Sequence, residues 1–281
     1  MTTKVTKATR QAEPGDGVPG EGLWARERFA PPGAATAVLV HGERALLKIK
    51  HAPQQLIDIF VMPLVFLLMF TYLFGGAIGG SARDYLQYLL PGILVLSVMT
   101  VTLYAGTALS TDITGGVHDR FRTLPFWQPA SVLGTLFGGL VRYTIVLTVG
   151  VLVGLALGFR PDAGVGGVLL TVLALLLFAI SVGWVFTALG VVVPTPETIT
   201  TAGMMVLGPL LFTSNIFVDP DTMPGWMQFV VDLNPATHAS TAARGLMHGT
   251  ATVGEIGALL GICAALTAVF LPLTVVLYRR R

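Results

Sequence analysis

Residues 111–131 read TDITGGVHDRFRTLPFWQPAS and form a polar, basic interruption between two apolar runs. Gly115-Gly116 precedes the charged residues, and Pro125 and Pro129 follow them. This spacing predicts a short helix of about three turns, placed between two membrane spans. Such a helix could pass movement from a soluble partner into the spans on either side, so we expect 111–131 to be a coupling loop.

The composition on both sides of this loop indicates an integral membrane protein. Of the 281 residues, 53% are apolar and 11% are charged, and the mean hydropathy is +0.76. In soluble globular proteins about a quarter of the residues are charged, and the charged fraction of this chain is well below that value. The net charge of +2 gives no support for a nucleic-acid partner. The expected surroundings are a lipid bilayer, in the cell membrane.

The sequence lacks the common motifs of catalytic and metal sites. It has no Gly-rich loop ending in Lys-Ser or Lys-Thr, no G-x-S-x-G turn and no H-E-x-x-H pair. Cys263 is the single cysteine, and the five histidines are not spaced as metal ligands on one helix. We therefore predict that this chain has no catalytic residue and no metal site and that it binds no cofactor. We expect that it is not an enzyme.

Six apolar runs are about 20 residues long, the length that an α-helix needs to cross the hydrocarbon core of a bilayer. They cover 56–76, 89–110, 136–158, 166–190, 199–217 and 255–278. The predicted fold is an all-α polytopic membrane protein in which both termini lie on the same side.

The basic residues indicate which side that is. The N-terminal segment carries eight, the coupling loop two and the C-terminus three, whereas the opposite side has Arg83, Arg160 and Arg244. Because cytoplasmic segments carry an excess of Lys and Arg, we expect both termini and the 111–131 loop to be cytoplasmic.

The N-terminal segment divides into two parts. Residues 1–35 are rich in Pro, Gly and charges, which predicts a disordered cytoplasmic tail. Residues 34–52 alternate apolar and basic residues in a helical pattern, which predicts an amphipathic helix in the membrane interface. A plain juxtamembrane extension is the alternative. The membrane domain is expected to cover 36–281.

The predicted outer segment before the last span is longer than a connector requires. Residues 223–249 contain two potential short helices divided by Asn234-Pro235. Trp226, Phe229 and Leu233 recur at helical spacing in the first, so this helix could dip into the membrane as a re-entrant, amphipathic gate. An ordinary surface hairpin of two helices is the alternative.

Three spans carry faces that could line a route for an amphipathic, partly aromatic solute, because Met adapts its shape and Tyr offers both a ring and a hydroxyl. The competing interpretation is helix–helix packing through Ser and Thr. The candidate pathway residues are Met62, Met69, Tyr72, Ser97, Thr100, Tyr104, Thr107, Met205 and Phe212.

Charged side chains are costly inside a membrane span. Asp58 and Arg142 lie near span ends, so both side chains could reach the headgroup level by snorkelling. A functional role, such as Arg142 pairing with an acid or a substrate anion, stays open because intramembrane ions are often functional.

Four segments of the sequence resemble a known family. VHDRFRTLPFWQPA, DYLQYLLPGI, SNIFVDPDTMPGW and NPATHASTAARGLMHG are similar to the membrane subunit of type-2 ABC exporters, in particular the daunorubicin/doxorubicin-resistance permeases of actinomycetes. The likeness covers about residues 42–278, and the 1–35 tail shows none.

The resemblance implies a six-span permease that dimerises and docks two copies of a cytoplasmic ATPase, which binds ATP and Mg²⁺. The permease would export an amphipathic antibiotic such as an anthracycline for self-resistance. Contact with the ATPase would involve Gly116, Val117, His118, Asp119, Arg120, Phe121, Arg122 and Leu124. The outer gate would comprise Trp226, Phe229, Leu233, Asn234, Pro235 and Arg244.

Other functions remain open at this point. Within the family, export of a lipid or a glycan is the main alternative. An ion-coupled secondary transporter would require acids or broken helices near the membrane midplane, for which Gly208-Pro209 is the candidate break. A membrane scaffold without transport activity is a further alternative.

Overall fold

A computed structural model of the chain describes residues 53–114, 129–193 and 195–280. The predicted tail and amphipathic helix, which together span 1–52, lie outside the described residues, as does most of the coupling loop. All described residues belong to one unit of the chain, Gly33–Arg281.

The described residues form α-helices and no β-strand. The helices are α1 Pro53–Met69, α2 Gly75–Ile78, α3 Ala82–Thr114, α4 Pro129–Leu157, α5 Gly164–Val192, α6 Pro196–Phe212, α7 Gly225–Asp232, α8 Pro235–His248 and α9 Val253–Arg280. A π-helical turn at Phe70–Phe74 joins α1 to α2, and a 3-10 turn at Pro220–Thr222 precedes α7.

The helix α3 is the centre of the fold. It packs against α1, α4, α5, α6 and α8, and most of its side chains are buried. The helix α9 lies at the periphery, against α5 and α8. A span enclosed by other helices needs apolar residues on every face, which explains why α3 shows no strong amphipathic pattern.

Among the described residues, five helical stretches are long and apolar enough to cross a membrane: Val61–Ile78, Ala82–Thr111, Gly138–Leu157, Gly164–Val192 and Val253–Tyr278. The predicted run 199–217 is not among them. Its helix, α6, has 17 residues and ends at Phe212, so the expectation of a continuous helix to 217 was wrong. The chain from Thr213 to Phe217 is irregular, because its backbone bonds to side chains of α3 and α8 instead.

The predicted first run, 56–76, ends earlier than the helical chain does in the structure. The chain stays helical past Gly75-Gly76 through the π-helical turn and α2. A Cβ built on Gly75 would lie 2.7 Å from the Cα of Ala82. Gly75 therefore allows the start of α3 to approach closely, and it does not terminate the first span.

The helix α3 is longer than the predicted second run at both ends. Arg83 and Asp84 occupy its first turn and not a loop. Ser81 explains this start, because its Oγ accepts a hydrogen bond from the Asp84 backbone N–H at 3.0 Å and donates one to Asp84 Oδ2 at 2.7 Å. At the other end α3 reaches Thr114 and α4 begins at Pro129, so helix replaces both ends of the predicted 111–131 loop.

Glycines set the distance between α3 and α5. A Cβ on Gly106 would overlap the carbonyl oxygen of Phe186, and a Cβ on Gly190 would overlap the carbonyl oxygen of Gly106. The two backbones therefore touch, which is the arrangement that small residues permit between membrane helices.

We expect the substitution Gly106→Ala to destabilise the protein by about 1–3 kcal/mol, because the added methyl group meets backbone that cannot rotate away. The measurement is the midpoint of thermal unfolding of the purified protein in detergent. Gly257→Ala is the matched control, since a Cβ there has no atom within 4 Å and alanine is the better helix former. Equal midpoints for the two variants would contradict the close α3–α5 contact.

Candidate functional site

The residues of greatest interest surround the irregular segment Thr213–Phe217, which we call the cap segment. Its backbone lies beside two tyrosines of α3. The Tyr85 hydroxyl donates a hydrogen bond to the carbonyl oxygen of Phe217, and the Tyr88 hydroxyl donates one to that of Asn215, both at 2.8 Å. Two carbonyl groups that no helix satisfies thus find donors on the central helix.

Arg244 of α8 holds the cap segment from the other side. Its Nη2 donates to the carbonyl oxygens of Asn215 at 2.6 Å and Ile216 at 3.3 Å, and its Nε donates to that of Tyr88 at 2.9 Å. The guanidinium carbon lies 3.7 Å from the centroid of the Tyr88 ring, in cation–π contact. One side chain therefore ties α8 to both α3 and the cap segment.

Burial lowers the pKa of Arg244, while Tyr88 and the Asp219 carboxylate act in the opposite direction. An arginine keeps its proton under such conditions. The charge is therefore retained, and it strengthens each of the hydrogen bonds that the guanidinium donates.

Two asparagines complete the network. Asn215 Nδ2 donates to Thr241 Oγ1 at 2.8 Å, and Asn215 Oδ1 accepts a hydrogen bond from the Ser240 hydroxyl. Asn234 Nδ2 donates to the carbonyl oxygen of Leu210 at 2.6 Å, while its Oδ1 caps α8 by accepting from the Ala236 N–H at 2.9 Å. The predicted division of two helices at Asn234-Pro235 is confirmed, with Asn234 as N-cap and Pro235 as the first helical residue.

The structure divides the predicted gate residues into two groups. Asn234 and Arg244 are part of the hydrogen-bond network. Trp226, Phe229 and Leu233 are 69%, 67% and 71% exposed, so they form an apolar stripe on the free side of α7. Only the first group holds the cap segment in place.

The candidate pathway residues also fall into two groups. Those of α1, the π-helical turn and α6 are exposed: Met62, Met69, Tyr72, Met205 and Phe212. In α3, Ser97, Thr100 and Thr107 donate hydrogen bonds to carbonyl oxygens of their own helix, those of Ile93, Leu96 and Tyr104. Ser97 also lines a cleft between α1, α3 and α4, and none of the five exposed candidates is among the described residues that line it.

This cleft has an empty volume of about 410 Å³ including its open mouth. Its lining is apolar apart from Ser97, and it includes Leu64, Leu67, Val146 and Gly150. It lies within three of the stretches that can cross a membrane, so its mouth would open at hydrocarbon depth.

Arg142 belongs to α4, one of the three helices around this cleft, and lies one turn before the lining residue Val146. It is half-buried, and its guanidinium carbon is 5.9 Å from the centroid of the Tyr104 ring. Tyr104, a candidate pathway residue, thus lies beside the Arg142 cation.

Some predicted residues cannot be placed. The side chain of Asp58 lies outside the described residues, and so do all eight predicted coupling residues, 116–122 and Leu124. Within the described ranges, no group of three or more His, Cys, Asp or Glu side chains could hold a metal ion.

Sequence reasoning missed Tyr85, Tyr88 and Asn215 as parts of this network. The available signal was the segment DYLQYLL, which opens an otherwise apolar run with a glutamine and two tyrosines, the tyrosines three residues apart and therefore on one helix face. Gln87 connects the same turn of α3 to two other segments. Its Oε1 accepts a hydrogen bond from the Arg160 N–H at 3.0 Å, and its carbonyl oxygen lies 3.3 Å from His248 Nε2.

Comparison with known proteins adds one family match and three relatives. Residues 36–248 match the model of the ABC-2 type transporter family. The chain is 56% identical over 259 residues, 92% of each chain, to the daunorubicin resistance ABC transporter permease protein DrrB1 of Streptomyces coeruleorubidus. It is 24% identical to the probable doxorubicin resistance ABC transporter permease protein DrrC of Mycobacterium tuberculosis, over 74% of this chain and 76% of that one. It is also 27% identical to the putative transport permease ycf38 of Cyanophora paradoxa, over 72% and 71%.

Proposed function

The chain belongs to the ABC-2 type transporter family, and on that premise we propose that it exports an amphipathic antibiotic of the daunorubicin and doxorubicin class. The observation that supports this substrate is the 56% identity, over 92% of both chains, to a permease named for daunorubicin resistance. The putative transport permease at 27% identity bears no drug in its name, so membership of the family alone does not specify the substrate.

We propose that the energy for export comes from a separate ATPase, two copies of which dock on a dimer of this permease. ATP and Mg²⁺ bind to that partner. The coupling residues 116–122 and Leu124 contact it, in the loop between α3 and α4. Both termini and this loop are cytoplasmic in the proposal, in accordance with the excess of basic residues in those segments.

The proposal includes a sixth crossing made by α6 and the cap segment together. Seventeen residues of helix span about 26 Å, slightly less than the hydrocarbon core. Irregular backbone is tolerated at membrane depth where protein groups satisfy it. The hydrogen bonds from Tyr85, Tyr88 and Arg244 to the cap segment fulfil this condition.

In the proposed dimer, α1 and α6 of the two copies face each other around the drug pathway. The exposed residues Met62, Met69, Tyr72, Met205 and Phe212 would then have a partner that a single copy does not provide. The network of Arg244 holds the outer end of this pathway, and the stripe of Trp226, Phe229 and Leu233 covers the exit as a gate.

The function is tested by the accumulation of daunorubicin, which is fluorescent, in cells that express the permease, its ATPase subunit, or both. We expect accumulation to fall only in cells with both subunits and to recover when the phosphate-binding lysine of the ATPase is replaced. A fall with the permease alone would indicate an ion-coupled transporter. Unchanged drug levels together with an altered lipid composition would favour lipid export.

A further inference from the structure

The cleft between α1, α3 and α4 is narrow and follows the direction of its helices. The space in which the centre of a water-sized sphere fits measures about 50 Å³, whereas sites for small molecules measure about 300–1,000 Å³. Along α4 the lining runs from Val146 to Val153, which is about 10 Å of helix rise. The cleft is therefore too small for a drug, and its shape suits a single hydrocarbon chain.

The lining of the cleft suits such a chain chemically. Ser97 is its polar exception, and the Ser97 hydroxyl already donates to the carbonyl oxygen of Ile93 at 2.6 Å. A polar ligand would lose its hydrogen bonds on entering, whereas a chain that fills the cleft gains dispersion contacts with both walls. The exposed pathway candidates are not among the described residues that line it: Met62, Met69, Tyr72, Met205 and Phe212.

A cation lies at one end of the cleft, which is the cytoplasmic end in the proposed topology. Arg142 shares a face of α4 with the lining residues Val146 and Val153, since they follow it by four and eleven residues. Across from it on α3 is Tyr104, which shares a face of that helix with Ser97, seven residues away. The cation and the cleft therefore lie along one seam between α3 and α4.

The charge of Arg142 has no counter-ion in the part of the chain that the structure describes. The ion pair found there joins His248 to Asp162. Arg142 lies four residues, about 6 Å of helix rise, inside the apolar stretch Gly138–Leu157. A charge at such a depth is costly unless it reaches the headgroup region or an anion. Because the side chain is only half-buried, an anion can approach it from the bilayer.

We propose that this seam binds an anionic phospholipid, with the phosphate on Arg142 and one acyl chain in the cleft. A guanidinium matches two phosphate oxygens with paired donors. From Arg142 to Val153, α4 rises by about 16 Å, close to half of the hydrocarbon core and so to the length of a chain in one leaflet. In the proposed topology the lipid belongs to the cytoplasmic leaflet. It is a bound component of the permease and not its cargo, since the seam lies off the proposed drug route.

The phosphate contact is tested by native mass spectrometry of the purified full-length permease with defined lipids. Phosphatidylglycerol and phosphatidylcholine with the same two oleoyl chains compare an anionic with a zwitterionic headgroup. We expect phosphatidylglycerol to bind roughly fivefold more tightly, the contribution of one arginine to the attraction of anionic lipid. Arg142→Gln should abolish this preference, and Arg142→Lys should keep part of it. Arg160→Gln is the matched control, which removes an exposed cation beyond the other end of α4.

The acyl chain is tested by filling the cleft. Val149→Phe places a ring among the lining residues and should weaken the binding of both phospholipids by a common factor of roughly threefold, from lost dispersion contacts. Leu152→Phe is the control, because Leu152 is exposed on α4 and is not among the described lining residues. Val153→Phe fills the other end of the cleft and replaces the first variant if that one does not fold.

Thermal unfolding provides a second measurement, since a bound ligand stabilises the folded state. Phosphatidylglycerol should raise the midpoint of the original protein and of Arg160→Gln, and leave that of Arg142→Gln unchanged. Equal affinities for the two phospholipids, or the same preference in Arg142→Gln as in Arg160→Gln, would overturn the phosphate contact. Glycerol phosphate that binds as tightly as phosphatidylglycerol, or equal effects of Val149→Phe and Leu152→Phe, would overturn the place of the chain. Each of these results would leave the proposed drug export unaffected.

Discussion

Replacing Arg244 by methionine is expected to destabilise the protein by about 3 kcal/mol or more. The guanidinium donates two short hydrogen bonds, to the carbonyl oxygens of Asn215 at 2.6 Å and Tyr88 at 2.9 Å, and a longer one to that of Ile216, and each short one contributes at least about 1.5 kcal/mol. Methionine has a similar length but no donor. The carbonyl oxygen of Ile216 would then lose its donor at a buried position, and α8 would lose its link to α3.

The measurement is the midpoint of thermal unfolding of the purified permease, which we expect to fall by roughly 6–12 °C for a chain of this size. Arg244→Lys should recover part of the loss, since lysine restores the charge but cannot reach Tyr88 and the cap segment with a rigid fork. Arg160→Met is the control, because Arg160 is an exposed cation whose described hydrogen bond comes from its backbone.

Drug accumulation in cells separates a structural role of Arg244 from a role in the gate. A variant that is stable enough to reach the membrane yet exports no drug would support the gate. A midpoint for Arg244→Met that equals the midpoint for Arg160→Met would show that the network does not hold the cap segment.

The positions of the apolar runs could be predicted from the sequence, because hydropathy over about 20 residues reports directly on burial in lipid. The pair of short helices at 223–249 could be predicted for a different reason. Asn-Pro is a local signal, in which the asparagine caps the next helix and the proline fits its first position.

The end of α6 could not be predicted in this way. Residues 213–217 read TSNIF, and a hydropathy average over about 20 residues passes over the three polar residues Thr213, Ser214 and Asn215, so the predicted run continued to Phe217. What ends it is a set of donors far away in the chain: Tyr88 and Arg244 lie 127 and 29 residues from Asn215. Such contacts between residues far apart in the chain cannot be identified from a single sequence. The contact between Gly106 and Gly190 could not be predicted for the same reason.

The hydroxyl residues of α3 illustrate an intermediate case. Their spacing places Ser97, Thr100 and Thr107 along one part of the helix, as the sequence indicates. It does not determine the acceptor of each hydroxyl group. In the structure the acceptors are carbonyl oxygens of the same helix, which leaves the hydroxyl oxygens able to accept from a ligand or a neighbouring helix.

Reversing the charge of the coupling loop with Arg120→Glu is expected to reduce drug export at least tenfold and to release the ATPase during co-purification. Phe121→Ala should act in the same direction. An aromatic residue flanked by arginines is typical of interface hot spots, where loss of one side chain costs about 2 kcal/mol or more, a factor of about thirty in affinity.

The charge reversal has a matched control at the other end of α3. Arg83 is an exposed residue in the first turn of this helix, on the opposite side of the membrane in the proposed topology. Arg83→Glu should therefore insert normally, retain the ATPase and export the drug at the original rate. If Arg120→Glu retains the ATPase as fully as Arg83→Glu does, the docking site lies elsewhere, because a glutamate in the centre of the contact would repel the acidic partner groups that an arginine attracts.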